Sequence, residues 1–431
     1  MYKLKWLLKR FGFLKRISFE FIDKLIYQKE SQFLLHSWNA HKTPYTSILF
    51  YNFLGRILWA SREFVMKKSI KLEGYDTSSK ELQRFYKKGQ HSILWPKSPM
   101  VELSNYILDD DFTTKIENSL KIAYKLEKEK FDKTQEWDRI AKLITKHFFD
   151  NSGKIIKENL TSFRKKRELY QELFNDQFTY LDDKESYEKS YLKSIDLILE
   201  YHRMAEKVDK TVLASISESD AGENICAVYR GKRVSEKSLF HATVVNDLIK
   251  TISFDAKTRE VILDIGCGYG ALNRMLYYYV PNCCHILLDL PETLILTSYF
   301  IKYNFPDAKI ALLEDIEDKL DDFDSIINEY DFVIVSPSLL TYMDDKSVDL
   351  VINTASMGFM QKEYQEFYLS NTSRILRDGG YFYSLNKEYN DKWGIGYYEW
   401  DYKANYLTRL FEYNNRFSFP QWIGQKIKEK S

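Results

Sequence analysis

Cysteine is scarce. The 431 residues hold four (Cys226, Cys267, Cys283 and Cys284), two of them adjacent and none in a C-x-x-C pair. That excludes a disulfide scaffold and gives no indication of zinc or of an oxidising compartment. An excess of one charge is missing too, because 63 Lys and Arg nearly cancel 62 Asp and Glu. No bulk basic field therefore favours nucleic acid as a partner. No apolar run approaches the ~20 residues of a membrane span. Glycine is thin in the first half, where residues 1–210 contain five of the sixteen. Aromatic surface, by contrast, is plentiful: 28 Phe, 32 Tyr and 8 Trp exclude disorder as the main state. The length suits two or three domains at roughly 100–200 residues each. A cytoplasmic globular protein is expected.

The start of the chain adds one qualification. Residues 1–28 carry seven Lys and Arg among Trp6, Leu7, Phe11, Phe13, Ile17, Phe21 and other apolar residues. Charges interrupt the run and no small-residue cleavage site follows, so it does not read as a signal peptide. A basic, aromatic-rich helix of this kind either lies on an anionic membrane surface or packs its apolar face on the rest of the protein.

The glycine-poor half is rich in Lys, Glu, Leu and Ile at helical spacing. Ile116, Leu120, Ala123, Tyr124 and Leu126 form one such run, and Tyr191 to Met204 forms another. The turn-rich Trp95-Pro96-Lys97-Ser98-Pro99 separates an N-terminal basic and aromatic element, 1–95, from a helical cap or bundle, 96–210. Residues 211–431 have a different rhythm. Short apolar runs at Val261–Ile265, His285–Leu290, Lys309–Leu313, Phe332–Val335, Leu350–Asn353 and Tyr381–Leu385 alternate with helical segments. Apolar strands bounded by turns and alternating with helices predict a parallel sheet covered on both faces, a doubly wound Rossmann-like α/β domain. Ligands of such folds bind beyond the carboxyl ends of the strands.

The strongest local signal is Val261-Ile262-Leu263-Asp264-Ile265-Gly266-Cys267-Gly268-Tyr269-Gly270, a buried strand entering a glycine-rich turn. A helix follows, with Leu272, Met275, Leu276 and Tyr279 on one face and Pro281 at its end. The turn must be tight and a ligand must approach the backbone closely, which a Cβ would block. Nineteen residues after Gly270, a second apolar strand ends in Asp289, placed to accept hydrogen bonds from ribose hydroxyls. The ordered set points to a nucleoside-containing cofactor. Gly266-x-Gly268-x-x-Ala271 also fits the dinucleotide fingerprint, so an NAD-dependent oxidoreductase is the rival reading. Asp264 favours S-adenosylmethionine instead: a carboxylate two residues before the first glycine suits a cationic amino-acid moiety, and a pyrophosphate gains nothing from it.

These residues carry a resemblance. Asp264–Gly270 is similar to motif I of class I methyltransferases, and Arg377-Asp378-Gly379-Gly380-Tyr381-Phe382 looks like the turn into their fifth strand. Leu288-Asp289-Leu290-Pro291-Glu292-Thr293 and Asp349 to Met357, with Tyr364, Tyr368 and Phe382 to Asn386, resemble sugar O-methyltransferases of bacterial surface-polysaccharide synthesis. The resemblance covers roughly residues 211–420. It implies an S-adenosylmethionine-dependent O-methyltransferase acting on a sugar hydroxyl of a nucleotide-linked or lipid-linked glycan. It also implies that Gly266, Cys267, Gly268 and Gly270 line the methionine part, with Asp264 near the amino group and Asp289 on the ribose. Leu290 lies beside Asp289 in that motif. Either Glu314-Asp315 or Ser336-Pro337-Ser338 would meet the adenine, depending on which apolar run is the third strand. Phe332–Val335 fits better, with an extra strand or excursion over Lys309–Asp331. A non-catalytic binding subunit with this fold is a further alternative.

Methyl transfer to a sugar hydroxyl of high pKa requires alignment and removal of a proton. Glu218 and Asp220 before the sheet, His241 just ahead of it and Glu363 after the fourth strand are the candidate bases. Asn353, Ser356 and Asn386 lie at the carboxyl edge, where an amide positions but cannot act as a base. Asp315, Glu317, Asp318, Asp321, Asp322 and Asp324 read as a solvated acidic face, and no metal is expected. Trp393, Tyr397, Tyr398, Trp400, Tyr402, Tyr406, Phe411, Tyr413, Phe417, Phe419 and Trp422 either stack on sugar rings or form the core of the last strands.

Overall fold

In the computed structural model the described residues are 71–73, 107–127, 135–165, 216–223, 226–229, 232–254, 257–280, 282–386, 405–413 and 419–427, with isolated positions between 197 and 212. Apart from Lys71 they belong to one compact unit, Leu72–Asp76 with Lys97–Ser431; Met1–Lys71 with Thr77–Pro96 make the other. The basic segment 1–28, the Trp95–Pro99 interruption and the aromatics Trp393, Tyr397, Tyr398, Trp400, Tyr402 and Phe417 lie outside the described residues.

Three short strands, β1 (Lys71–Glu73), β2 (Cys226–Tyr229) and β3 (Lys232–Val234), form a small sheet in that order. The main sheet is built from β4 (Glu260–Ile265), β5 (Cys283–Leu288), β6 (Ile310–Leu312), β7 (Phe332–Val335), β8 (Val348–Thr354), β9 (Leu376–Leu385), β10 (Tyr406–Tyr413) and β11 (Pro420–Lys426). Its order is β10-β11-β9-β8-β4-β5-β7-β6. All pairs from β9 to β6 are parallel, and β11 runs antiparallel to both β9 and β10. Helices α1 (Asp110–Glu127), α2 (Gln135–Phe148) and α3 (Lys157–Thr161) precede β2, and α4 (Glu236–Thr251) leads into β4. Between the strands of the main sheet run α5 (Ala271–Tyr277), α6 (Leu294–Asn304), α7 (Leu313–Ile316), α8 (Phe323–Glu329) and α9 (Lys362–Ile375).

The doubly wound α/β sheet is therefore as the strand pattern predicts, and burial on both faces explains it. Val261, Leu263 and Ile265 point into one core with Ile286, Val333, Val351 and residues of α8 and α9. Leu287, Phe332 and Ile334 point into the other with α6 and the Ile116 and Leu120 face of α1. Both competing apolar runs are strands. Phe332–Val335 takes the place beside β5, and Ile310–Leu312 pairs outside it as the edge strand. This is the arrangement the sequence favours, because Phe332–Val335 leads directly to the next strand and ends in a polar turn, with the extra strand falling before it.

Helix α1 matches the Ile116, Leu120 and Ala123 periodicity, and it docks across the carboxyl ends of β5, β6 and β7. Tyr124 Oη donates to Glu292 at 2.8 Å after β5, and Lys115 pairs with Asp315 at 2.5 Å after β6. Ser119 Oγ accepts from the Glu314 amide at 3.0 Å, and Glu127 Oε1 accepts from the Ser338 amide at 2.8 Å after β7. Glu314 and Asp315 are thus tied to α1 at the sheet edge, whereas Ser336 lies next to the end of β5. No described helix is long and apolar enough to cross a membrane.

Candidate active site

Strand β4 delivers its chain into the turn Gly266–Gly270, and each glycine has its own reason. At Gly266 (φ +75°) a Cβ would overlap Ser356 from the end of β8. At Gly270 (φ +85°), the left-handed cap of α5, a Cβ would lie 3.0 Å from Ile301 of α6. At Gly268 (φ +57°) nothing lies within 4 Å of the Cβ position. Two glycines thus allow the protein's own packing, and the third borders open space.

Asp289 fastens this turn to β5. One carboxylate oxygen accepts from the Gly268 amide at 2.8 Å and the other from the Leu290 amide at 2.7 Å. Burial outweighs those two bonds and pushes its pKa up to about 6. Thr297 of α6 steadies the other side, its hydroxyl donating to the Gly268 carbonyl at 2.6 Å. The Cys267 thiol lies 3.5 Å from the same carbonyl, and burial, with Asp289 and Asp264 nearby, raises its pKa well above the ordinary value. At pH 7 it is a neutral thiol. Leu290 is half-buried beside Asp289, and the Asp289 amide reaches the Val335 carbonyl at 3.4 Å, one residue before the buried Ser336.

Asp264 sits beneath the turn, 1% exposed. Asn273 donates to its Oδ2 at 2.6 Å, and its Oδ1 has no hydrogen-bond partner. Burial raises its pKa to about 7, with the nearby Asp289 charge adding to the rise. A buried carboxylate with one oxygen unmatched is costly unless a cation or proton joins it.

At the ends of β8 and β9 the picture reverses. Asn353 donates to the Ile265 carbonyl at 2.7 Å and accepts from Asn386 at 2.8 Å and from the Met357 amide. Asn386 also bonds Ser384 and the Gly358 amide, and Ser356 donates to the Ile265 carbonyl. Asn353, expected among the catalytic residues, is a structural tie between β4, β8 and β9. Its amide groups are all engaged within the fold.

Glu218 also takes a structural part in place of the expected base. It is 4% exposed, and it pairs with the equally buried Arg164 at 3.2 Å. It accepts as well from the Ser219 amide and from Ser235 Oγ, which caps α4. Burial opposes its ionisation, but Arg164, Arg274 and Ser235 prevail and hold its pKa down to about 2. Such a carboxylate binds a proton too weakly to serve as a base at neutral pH. His241 lies on the first turns of α4, and burial with Lys237 depresses its pKa to about 3, which makes it a weak acceptor as well. Glu218 meets the turn through its partner Arg164, whose guanidinium lies 5.2 Å from the centre of the Tyr269 ring. Glu363 is exposed on α9.

Of the expected site residues, then, Asp264, Gly266, Cys267, Gly268, Gly270, Asp289 and Leu290 meet at one turn, and Ser336 adjoins them. Thr297 and Asn273 join them unforeseen. Asn273 had one signal, a polar residue on the apolar face of a helix. The acidic stretch after β6 is a surface: Asp322 caps α8 and Glu317 pairs with Lys125. Among the described residues no cluster of three or more His, Cys, Asp or Glu is arranged to hold a metal ion. Tyr406 and Trp422 pack in the core against Phe382, whereas Phe411 is exposed.

No protein-family model and no curated protein sequence matches the chain. Similar solved structures include a Pyrococcus horikoshii protein, 14% identical over 45% of this chain and 92% of that one, with a TM-score of 0.32. The geranyl diphosphate C-methyltransferase of Streptomyces coelicolor, solved with S-adenosyl-L-homocysteine, is 10% identical over 43% and 76%, with a TM-score of 0.29. An O-methyltransferase family protein from Burkholderia thailandensis is 11% identical over 47% and 61%, with a TM-score of 0.28. At such scores the functional reading rests on the residues of the turn.

Proposed function

We propose that this chain is an S-adenosylmethionine-dependent O-methyltransferase whose acceptor is a sugar hydroxyl in a nucleotide-linked or lipid-linked glycan. One observation carries the cofactor: the buried Asp264 has an oxygen without a partner, beneath a turn whose Gly268 borders open space. A ligand with an ammonium group meets that carboxylate, while a pyrophosphate would be repelled by it. The antiparallel β11 supports the same choice, because the dinucleotide-binding sheet adds its sixth strand parallel. Asp264 would hold the amino group, the Gly266–Gly270 backbone the methionine part, and Asp289 the ribose hydroxyls. Leu290 and Ser336 would border the adenine. Bound there, the cofactor supplies a methyl group on a positively charged sulfur.

The protein's own task is to exclude water, align the acceptor and take its proton. Neither Glu218 nor His241 suits the last step. The sugar acceptor is supported by the likeness of Leu288–Thr293 and Asp349–Met357 to sugar-modifying enzymes. Residues 1–28 would then give peripheral contact with an anionic membrane that presents a lipid-linked acceptor.

Calorimetry with S-adenosylmethionine, S-adenosylhomocysteine and NAD separates the cofactors. Binding of the first two and not the third is expected; NAD binding alone refutes the proposal. Gly268→Ala sharpens the test. Its added methyl enters the open space at a cost of about 1–2 kcal/mol in backbone strain. Affinity should fall at least about tenfold, roughly 1.4 kcal/mol. Labelled S-adenosylmethionine with fractionated glycans, followed by mass analysis, then identifies the acceptor.

A further inference from the structure

Asp264 is the end of a chain of buried polar groups that crosses three elements. Asn273 of α5 gives its amide N–H to Asp264 of β4 at 2.6 Å, and its amide oxygen lies 3.1 Å from Nδ1 of His285 on β5. Asp264 is 1% exposed, and Asn273 and His285 are 0% exposed. A carboxylate only accepts, so the Asn273 NH2 must face it and the amide oxygen must face a donor. His285 is therefore the tautomer with its proton on Nδ1. Its Nε2 has no partner, and its ring stacks on Phe332 at 5.4 Å with Tyr277 at its edge. Burial brings the imidazole pKa down to about 3, so the ring is uncharged at neutral pH.

We propose that Asn273 and His285 are positioning residues: they fix the Asp264 carboxylate by one oxygen and reserve the other for the ammonium group of the cofactor. The ammonium half of this statement rests on the function proposed above. A purely structural role fits the arrangement poorly. Three buried polar residues ending in an unmatched carboxylate oxygen stabilise a fold less than three apolar ones would. Hydrogen bonds in such a chain polarise one another, so the neutral His285 strengthens the Asn273 donor without adding a second cation to compete with the ligand. The other charged and titratable groups near Asp264 do not replace the missing cation. Asp289 repels the Asp264 carboxylate, the Cys267 thiol is neutral, and Arg274, next to Asn273, turns to Asn304 and the Ser217 carbonyl.

Two measurements test the chain together: carbon-13 NMR titration of the Asp264 carboxyl in the ligand-free protein, assigned with Asp264→Asn, and calorimetry of S-adenosylmethionine from about pH 6 to pH 8.5. Asn273→Leu should move the Asp264 titration up by about one unit, the loss of one hydrogen bond to the ionised form. Affinity at pH 7, where the ionised fraction drops from about one half to about one eleventh, should fall about fivefold and recover as pH rises. His285→Leu should cause a smaller upward shift. His285→Asn, whose amide nitrogen can take the place of Nδ1, should restore it. The His285 pair decides the matter if Asn273→Leu does not fold. An Asp264 titration indifferent to Asn273→Leu and His285→Leu overturns the relay. A shifted titration in a protein that binds no S-adenosylmethionine overturns the ammonium assignment along with the proposed function.

Discussion

The carboxyl ends of β4 and β8 are neighbours in the sheet, yet they treat their polar groups in opposite ways. After β8, Asn353, Ser356, Asn386 and Ser384 bond one another and the Ile265 carbonyl, and Ala355 holds a left-handed φ of +57° within this closed block. At the end of β4, Asp264 keeps an oxygen unmatched, and in the turn that follows Gly268 faces open space. Closed networks give rigidity, and unmatched buried groups mark where a ligand completes the structure. The contrast separates the residues that shape the site from those that meet its ligand.

The contrast first sorts the carboxylates, and there the largest effect is expected. Glu218 belongs with the closed groups, so Glu218→Gln should act on folding rather than on chemistry. Removing one partner of a buried ion pair costs about 3–5 kcal/mol. Denaturant unfolding should report that loss, and cofactor affinity extrapolated to the folded fraction should hold. The sign of the pH dependence follows. Glu218 has a depressed pKa in the folded state, so its contribution is complete above the ordinary 4.5 and is lost as pH falls toward about 2. A variant of wild-type stability that transfers methyl groups slowly would return Glu218 to the role of base.

Next comes the joint between the two strand ends. Gly266→Ala drives a methyl into Ser356 and fixes an unfavourable left-handed residue. Overpacking and strain together should cost about 2–5 kcal/mol. Ser356→Gly alone loses the hydroxyl's bonds to Ile265 and Asn353, so a double-mutant cycle is needed: in the Ser356→Gly background Gly266→Ala should cost only the strain. If Gly266→Ala costs as much there as in the wild type, the two ends are not in the contact described, and the comparison loses its basis.

How much of this the sequence reveals depends on the distance over which each feature is decided. The glycine turn, its flanking strands and Asp289 are legible because apolar runs and glycine spacing are local. The α1 periodicity is local as well, but nothing in Ile116, Leu120 and Ala123 says that the helix crosses the ends of β5, β6 and β7. The partner of Glu218 is Arg164, 54 residues earlier, so a free base and a locked ion pair read alike in the linear chain. Asn353 is ambiguous for the same reason: an amide at a strand end suits substrate contact until Asn386 and Ile265 are seen to occupy it. The order of β6 and β7 is legible in part, because Phe332–Val335 leads directly to β8 and ends in a polar turn, while the pairing of Ile310–Leu312 outside it is decided at long range.

The smallest effect concerns the one side chain between the first two glycines. Cys267 has a thiol, the most reactive group of the turn by residue type. Its surroundings remove that reactivity: burial and the two nearby carboxylates suppress the thiolate, and only the thiolate is nucleophilic. The hydroxyl of Cys267→Ser can keep the contact with the Gly268 carbonyl. Stability should change by less than about 1 kcal/mol, the scale of a single neutral hydrogen bond. Cofactor affinity should stay within about twofold, under half a kcal/mol. Alkylation by iodoacetamide at pH 7.5 should be slow beside an exposed thiol. Rapid alkylation that blocks cofactor binding, or a large loss in Cys267→Ser, would mean that the turn works through its side chain. The unchanged variant would leave recognition to the backbone of Gly266–Gly270 and to the two carboxylates beside it, Asp264 and Asp289.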